Sequence, residues 1–249
     1  MKFLGIIPAR YASTRFPGKP LADISGKPMI QKVYEQASKA LEQVWVATDD
    51  FRIEECVKSF GGKVIMTSPD HQSGTDRIAE AALKITEKLN SQFDVVINIQ
   101  GDEPFIQPEQ ISSLKNCFSC PSTEIATLIK KISNSDEISD ANKVKVVVNK
   151  DQRALYFSRS PIPFVRGEEK ENWINKQSFF KHIGMYAYRY KALMEVTKLE
   201  QSPLELSESL EQLRWLENGY IIQTDTTKHE SIGIDTPEDL ERVKQMGLL

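Results

Sequence analysis

The feature that most constrains this chain is an alternation, repeated over its first half, of short apolar runs with longer amphipathic ones. FLGIIP (3–8), VWVAT (44–48), KVIM (63–66) and DVVINI (94–99) are too short for helices. They show little polar alternation, as strands buried on both faces do. Between them, Ile30, Val33, Tyr34, Ala37 and Leu41 recur at helical spacing in 28–41. Residues 51–60 form a second helical stretch, stopped by Gly61-Gly62, and 75–89 a third, with Ile78, Ala81, Ala82 and Ile85 on one face. A fourth, 108–118, opens at Pro108. Strand and helix in strict turn predict an α/β fold: a mainly parallel sheet with helices on both faces.

Beyond residue 120 the rhythm changes. Residues 125–132 and 143–148 read as strands with no long helix between them, and 153–188 is rich in aromatics and arginine around Pro161 and Pro163. The expectation is a single domain, 1–249, carrying at 153–188 an insertion or dimer arm. Helices at 189–200 and 203–217, a strand at 220–224 and a helix at 237–246 close the chain.

Composition narrows the function. A net charge of -3 gives no global basic field for nucleic acid. No apolar run approaches a membrane-spanning length, and the run from Phe3 to Ile7 is too short for a secretory core. Three cysteines make no disulfide framework, and Cys117-x-x-Cys120 lacks the second pair that a zinc site requires. Reduced thiols and a cytosolic setting are expected.

Positive charge is instead local. IIPARYASTRFPGKPL (6–21) runs from the first strand into a segment carrying Arg10, Arg15 and Lys19. Pro17, Gly18 and Pro20 keep it from continuing as a helix. A loop at the carboxyl end of a parallel strand lies where ligands bind, and this one can wrap a polyphosphate with backbone N–H groups and three cations. The alternative is a solvated charged loop. Neither G-x-x-x-x-G-K-[ST] nor, after the first strand, G-x-G-x-x-G is present, so two familiar phosphate loops are excluded.

Two aspartates stand in positions suited to a hard cation. Asp102 in QGDEP follows the strand 94–99 and reads as a turn residue or as a ligand. In GIDTPEDL, Thr236 can be the N-cap, Pro237 the first helical residue and Asp239 the box partner, which frees Asp235 for a ligand; the alternative is Asp235 itself as the cap. In HQSGTDR, Ser73 and Asp76 form a similar box, and Arg77 falls in the first helical turn, where a cation is disfavoured. It is a ligand contact or a surface arginine.

The opening segment resembles the N-terminal signature of the 3-deoxy-D-manno-octulosonate cytidylyltransferases, the CMP-Kdo synthetases. MTSPDHQSGTDR (66–77), NIQGDEPFI (98–106), YFSRSPIP (156–163), HIGMYAYR (182–189), SPLELSESLEQLR (202–214) and GIDTPEDLERV (233–243) extend the resemblance, in order, over nearly the whole chain. It implies a three-layer, Rossmann-like nucleotidyltransferase sheet with a smaller, β-containing insertion for dimerisation. It implies transfer of CMP from CTP to Kdo, release of pyrophosphate, a role in lipopolysaccharide biosynthesis and a homodimer in the cytoplasm. Carried over residue by residue, CTP contacts fall on Arg10, Ser13, Arg15, Lys19, Arg77 (near the cytosine), Gln100 and Asp102. Mg²⁺ ligands fall on Asp102 and Asp235. The catalytic set is then Arg10, Arg15, Lys19, Asp102 and Asp235. Sugar contacts fall on Gln100, Arg159, His182, Tyr186, Glu211 and Gln212. Arg159 suits a sugar carboxylate, which arginine can hold with two parallel hydrogen bonds. Glu211 and Gln212 flank a stripe, Leu206, Leu210 and Leu213, expected in the core.

Overall fold

A computed structural model describes residues 1–12 and 14–247. The chain forms two compact units, Met1–Ser112 joined by the segment from Ser231 onward, and Ser113–Glu230. The segment 153–188 lies within the second. In chain order the elements are β1 (Phe3–Ala9), α1 (Met29–Ser38), β2 (Val44–Thr48), α2 (Phe51–Ser59), β3 (Val64–Met66), α3 (Gly74–Leu89), β4 (Val95–Asn98) and α4 (Pro108–Cys117). Then follow β5 (Ile125–Lys131), α5 (Asp136–Ser139), β6 (Lys145–Val148), β7 (Ala154–Ser158), α6 (Trp173–Lys176), β8 (Phe180–Arg189) and α7 (Tyr190–Val196). Last come α8 (Pro203–Glu208), α9 (Gln212–Glu217), β9 (Ile222–Thr226) and α10 (Pro237–Gln245).

In the first unit β1 lies between β2 and β4, with β3 outside β2, and all these pairs are parallel. The register sets Gly5 beside Val44 and Ile97, so the carboxyl ends of β1 and β4 point the same way. Ile6 and Ile7 face opposite sides of the sheet, and both are fully buried. Both faces are therefore covered, and that is why the strand sequences show no polar alternation. α3 buries Ile78, Ala81, Ala82 and Ile85, the predicted face, and opens with the predicted Ser73–Asp76 capping box. α10 opens with the Thr236–Asp239 box behind Pro237. Ile234 and Val243, from this last segment, pack with Ile24 and Met29 in a fully buried cluster, which returns residues 232–243 to the first unit.

In the second unit β5 pairs antiparallel with β8 and parallel with β9, and β6 pairs antiparallel with β7 and β8. The region 153–188, where the resemblance implied a β-containing insertion, holds β7 and most of β8, a ten-residue strand. One expectation changes here. The helix expected over 203–217 is two helices, because Ser209 takes a left-handed conformation (φ 52°, ψ 50°) and breaks it. Leu206 is consequently 62% exposed, and of the expected stripe only Leu210 and Leu213 lie in the core.

Candidate active site

Three chain segments meet at the carboxyl ends of β1 and β4 in the first unit. The loop after β1 carries Arg10, Arg15 and Lys19, the turn after β4 carries Asp102, and the turn before α10 carries Asp235. The backbone joins the last two directly: the Ile234 N–H donates to the Asp102 carbonyl at 2.9 Å. Gly101 is required at this junction, because a Cβ there would stand 2.9 Å from the Pro8 carbonyl oxygen.

The aspartates converge on one point. Lys19 Nζ donates to Asp102 Oδ2 at 2.7 Å and to Asp235 Oδ1 at 2.9 Å. Arg15 Nη2 stands 3.4 Å from the same Asp235 oxygen. Burial works against the charge of Lys19, but the two carboxylates outweigh it and its pKa is raised. Asp235 is not the helix cap: Thr236 Oγ1 accepts from the Asp239 N–H, and Asp239 accepts from the backbone N–H groups of Asp235 and Thr236. The Asp235 carboxylate is thus left for the cation cluster. Glu103, one residue beyond Asp102, accepts from the Ser231 hydroxyl at 2.7 Å. Burial, opposed by that hydrogen bond and reinforced by Asp102, pushes its pKa up to about 7.

Beside this cluster is a cavity of about 280 Å³. Arg10, Arg15, Lys19, Gln100, Asp102 and Asp235 line it, together with the turn before α3 and the start of that helix. Ser13, also expected at the nucleotide, lies outside the described residues. Arg77 lines the cavity too, but it is a buried residue: Nη1 donates to Thr67 Oγ1 at 2.6 Å and Nη2 to Asp49 Oδ2 at 2.9 Å. The Asp49 carboxylate offsets the unfavourable placing of a cation in the first turn of a helix. His71 lines the same cavity, and its Nε2 is in hydrogen-bond contact with Glu80. Neither His71 nor Glu80 was singled out from sequence, although His71 sits inside the quoted motif 66–77.

The residues expected at the sugar are, apart from Gln100, assembled in the second unit. His182 packs edge-on against Phe157 and tilted against Tyr186, with ring centroids 5.2 Å away in each case. Its Nε2 is 3.1 Å from Thr127 Oγ1, and the Ile183 and Met185 carbonyls lie 3.1 and 2.9 Å from the same hydroxyl. Burial alone pushes the His182 pKa down to about 3. Tyr186 packs edge-on against Trp215 of α9; burial, then the charge of Glu211, raises its pKa well above the ordinary value. Gln212 is buried on α9, and its Nε2 has no hydrogen-bond partner among the described residues.

Arg159, expected at a sugar carboxylate, donates to three backbone carbonyls. Its Nε donates to the Glu208 carbonyl at 2.7 Å, Nη1 to the Ala141 carbonyl at 3.1 Å and Nη2 to the Ser209 carbonyl at 3.4 Å. Glu208, unremarked in the sequence, accepts from Ser158 Oγ at 2.6 Å and from the Arg159 N–H at 2.9 Å. Arg159 and Glu208 thereby fix the turn between α8 and α9 that presents Glu211 and Gln212.

Comparison with known proteins bears on this geometry. The profile of the cytidylyltransferase family matches residues 4–232. The 3-deoxy-manno-octulosonate cytidylyltransferase of Parabacteroides distasonis is 60% identical over 246 residues, covering 97% of this chain and 96% of that protein. The corresponding enzyme of Bacteroides thetaiotaomicron is 58% identical over 98% of each chain. Among solved structures, a CMP:2-keto-3-deoxy-manno-octonic acid synthetase complexed with CTP superposes with a TM-score of 0.90 at 46% identity, covering 100% of this chain and 99% of that one. Fold, ordered motifs and full-length identity agree: the chain belongs to the cytidylyltransferase family, among the 3-deoxy-manno-octulosonate cytidylyltransferases.

Proposed function

We propose that this chain transfers the cytidylyl group of CTP to 3-deoxy-D-manno-octulosonate and releases pyrophosphate, supplying the activated sugar acid for lipopolysaccharide assembly. The observation that carries the reading is the convergence of Asp102 and Asp235 on one cation position beside a cavity lined by Arg10, Arg15 and Lys19. In the reaction the anomeric hydroxyl oxygen forms a bond to the α-phosphorus and gives up its proton to solvent, while the bond from that phosphorus to the bridging oxygen breaks and that oxygen leaves with the pyrophosphate. Arg15 and Lys19 neutralise the leaving pyrophosphate, and Arg10 the charge nearer the α-phosphate. The protein acts by positioning and charge, with no covalent intermediate.

The carboxylates fit Mg²⁺. Among the described residues no group of three or more His, Cys, Asp or Glu side chains could hold a metal. A pair of aspartates is nonetheless the donor set of a Mg²⁺ ion that keeps waters and takes phosphate oxygens from its substrate. Asp102 and Asp235 would hold it, and when bound it offsets phosphate charge and orients the leaving group. Arg77 borders the nucleotide base, and Gln100 lies between nucleotide and sugar roles. Arg159, His182, Tyr186, Glu211 and Gln212 form or support the sugar pocket. Exposed Leu155 and Phe164, 60% and 74% accessible, belong to a homodimer surface. No helix among the described residues is long and apolar enough to cross a membrane.

The test is pyrophosphate release from CTP with 3-deoxy-D-manno-octulosonate, an amino-substituted octulosonate and sialate, each with Mg²⁺ and with EDTA. Turnover is expected with the octulosonate and Mg²⁺. Equal or better turnover with either other sugar overturns the substrate assignment, and full activity in EDTA overturns the metal. Light scattering after gel filtration tests the dimer.

A further inference from the structure

The three cations at the cavity belong to one loop, and a side chain from a neighbouring helix holds that loop. The register of β1 against β2 sets Ala9 beside Thr48, which brings the chain leaving β1 to the turn that opens α2. In that turn Asp50 is the N-cap and accepts from the Arg52 N–H at 2.9 Å. The same carboxylate grips the Arg52 side chain at two points, Nε to Oδ1 at 2.9 Å and Nη2 to Oδ2 at 2.6 Å. These hydrogen bonds hold the Asp50 carboxyl below its ordinary range, against the effect of burial, so it is charged at neutral pH. A guanidinium fixed along one edge has a flat face left to offer. Its Cζ lies 3.3 Å from the centroid of the Tyr11 ring, too close for any but a stacked arrangement. Tyr11 in turn meets Gly18. The Gly18 N–H donates to the Tyr11 carbonyl at 2.9 Å, Gly18 is left-handed (φ 72°), and a Cβ there would stand 3.1 Å from two carbons of the Tyr11 ring.

All three cations hang on this knot. Arg10 directly precedes Tyr11, Lys19 directly follows Gly18, and Arg15 lies on the excursion between them. A second anchor is Phe16, which packs on the buried cluster of Ile24, Met29, Ile234 and Val243 and accepts from the Lys19 N–H at 3.1 Å. Like charges gathered in one loop repel until a polyanion joins them, so the closed form needs a hold of its own. Arg52 is not among the described residues that line the cavity, so it acts on the loop through Tyr11. We propose that Arg52, gripped by Asp50, is a positioning residue for the nucleotide loop: by pinning Tyr11 against Gly18 it keeps Arg10, Arg15 and Lys19 at the cavity before a triphosphate arrives. The inference rests on the proposed use of CTP and deepens it. A loop already closed binds at its intrinsic affinity, and a loop that opens loses affinity in proportion to the fraction still closed. Once the nucleotide is bound its phosphates hold the cations, so turnover of the bound complex does not depend on Arg52.

The experiment compares wild type, Arg52→Ala, Tyr11→Leu, the double variant and Tyr11→Phe, each checked by circular dichroism. Arg52→Ala keeps the backbone N–H that Asp50 caps, so the start of α2 is preserved. Three quantities are measured: tryptic cleavage after Arg15 in the free protein, followed by mass spectrometry; Kd for CTP by calorimetry without sugar; and kcat for pyrophosphate release. The Arg15 side chain is 65% exposed, so cleavage there reports opening of the backbone. Arg52→Ala should be cut about fourfold faster and bind CTP about fourfold more weakly, the scale of one half-exposed cation–π contact, with kcat within about twofold of wild type. Tyr11→Leu should do the same or more, and adding Arg52→Ala to it should change nothing further, because one contact is already gone. Tyr11→Phe keeps the ring face and should match wild type. A folded Arg52→Ala cut at the wild-type rate overturns the proposal, even if it binds CTP more weakly, since a charge acting on the nucleotide at a distance would do that. A fall in kcat at unchanged Kd overturns it too. If Arg52→Ala misfolds, equal cleavage of Tyr11→Leu and Tyr11→Phe is the overturning result. Wild type that binds CTP but releases no pyrophosphate with any sugar acid overturns the proposed function alone, because cleavage and Kd still read the hold on the loop.

Discussion

His182 gives the second unit a pH dependence whose size can be worked out. Its imidazole is neutral in the folded protein because burial pushes its pKa from the ordinary 6.5 to about 3. The unfolded chain takes up the proton first as pH falls. The stabilisation is therefore complete above 6.5 and is lost progressively as pH falls from 6.5 toward 3. Integrating that linkage from about pH 7.5 to about pH 5 gives a loss of about 2 kcal/mol from this one group. Acidic groups also titrate on acidification, so the informative quantity is a difference between proteins. His182→Phe keeps a ring between Phe157 and Tyr186 and leaves Thr127 its bond to the Met185 carbonyl. Urea unfolding followed by far-ultraviolet circular dichroism at both pH values should show wild type losing about 2 kcal/mol more than the variant. If the two lose the same amount, within about 0.5 kcal/mol, the extrapolation error of such measurements, then His182 is hydrated in solution and the reasoning from burial fails.

Three further substitutions separate structure from chemistry. Asp235→Asn leaves the Thr236 cap in place, so the melting temperature should move by no more than about 2 °C while pyrophosphate release falls about a hundredfold, near 3 kcal/mol of transition-state stabilisation. Arg77→Met strands the Asp49 carboxylate, 18% exposed, without its cation; chemical denaturation should register a loss of about 3 kcal/mol. Ser209→Gly relieves a left-handed conformation in the turn between α8 and α9, and should raise stability in urea by about 0.5 kcal/mol.

The first unit was legible because β1, β2 and β4 are covered on both faces. Ile6 and Ile7, fully buried on opposite sides, leave an apolar signature that a half-solvated strand would not. Capping chemistry was equally readable, since Ser73–Asp76 and Thr236–Asp239 act through neighbours in sequence. The opposite holds for β8, which packs antiparallel to β5 across a register shift between Thr127 and Leu128, so the length of its pairing is set by distant residues. The break at Ser209 was hidden for a related reason. Nothing local forbids a helix there; Arg159 and Glu208 fix the turn through contacts some 50 residues away in sequence. In the site, Lys19, Asp102 and Asp235 were singled out by their place at element ends, while the Lys19 bridge between the aspartates could not be read there. Glu80 reads as one more charge on a helix until the fold sets it beside His71.

Charge balance at the cavity gives the aspartate pair a consequence that can be measured without turnover. Apart from Arg77, whose charge Asp49 meets, Arg10, Arg15 and Lys19 supply three positive charges and Asp102 and Asp235 two negative ones, a net of +1 facing the cavity. A nucleoside triphosphate brings nearly four negative charges, and Lys19, within 3 Å of both carboxylates, is already engaged. Without a divalent cation the aspartates therefore oppose the nucleotide twice, by repulsion and by holding the ammonium that would otherwise meet it. Replacing both by asparagine removes the repulsion and frees Lys19, changing the net charge from +1 to +3. The double variant should bind CTP in EDTA more tightly than wild type, by about tenfold if each charge contributes at the scale of a solvent-screened pair, about 0.7 kcal/mol. It should also show none of the gain in affinity from Mg²⁺ that is expected of the wild type, and release no pyrophosphate. Calorimetry in EDTA decides the matter: weaker CTP binding by the folded double variant would mean that the carboxylates serve the nucleotide directly, and their assignment as the seat of a cation would have to be abandoned.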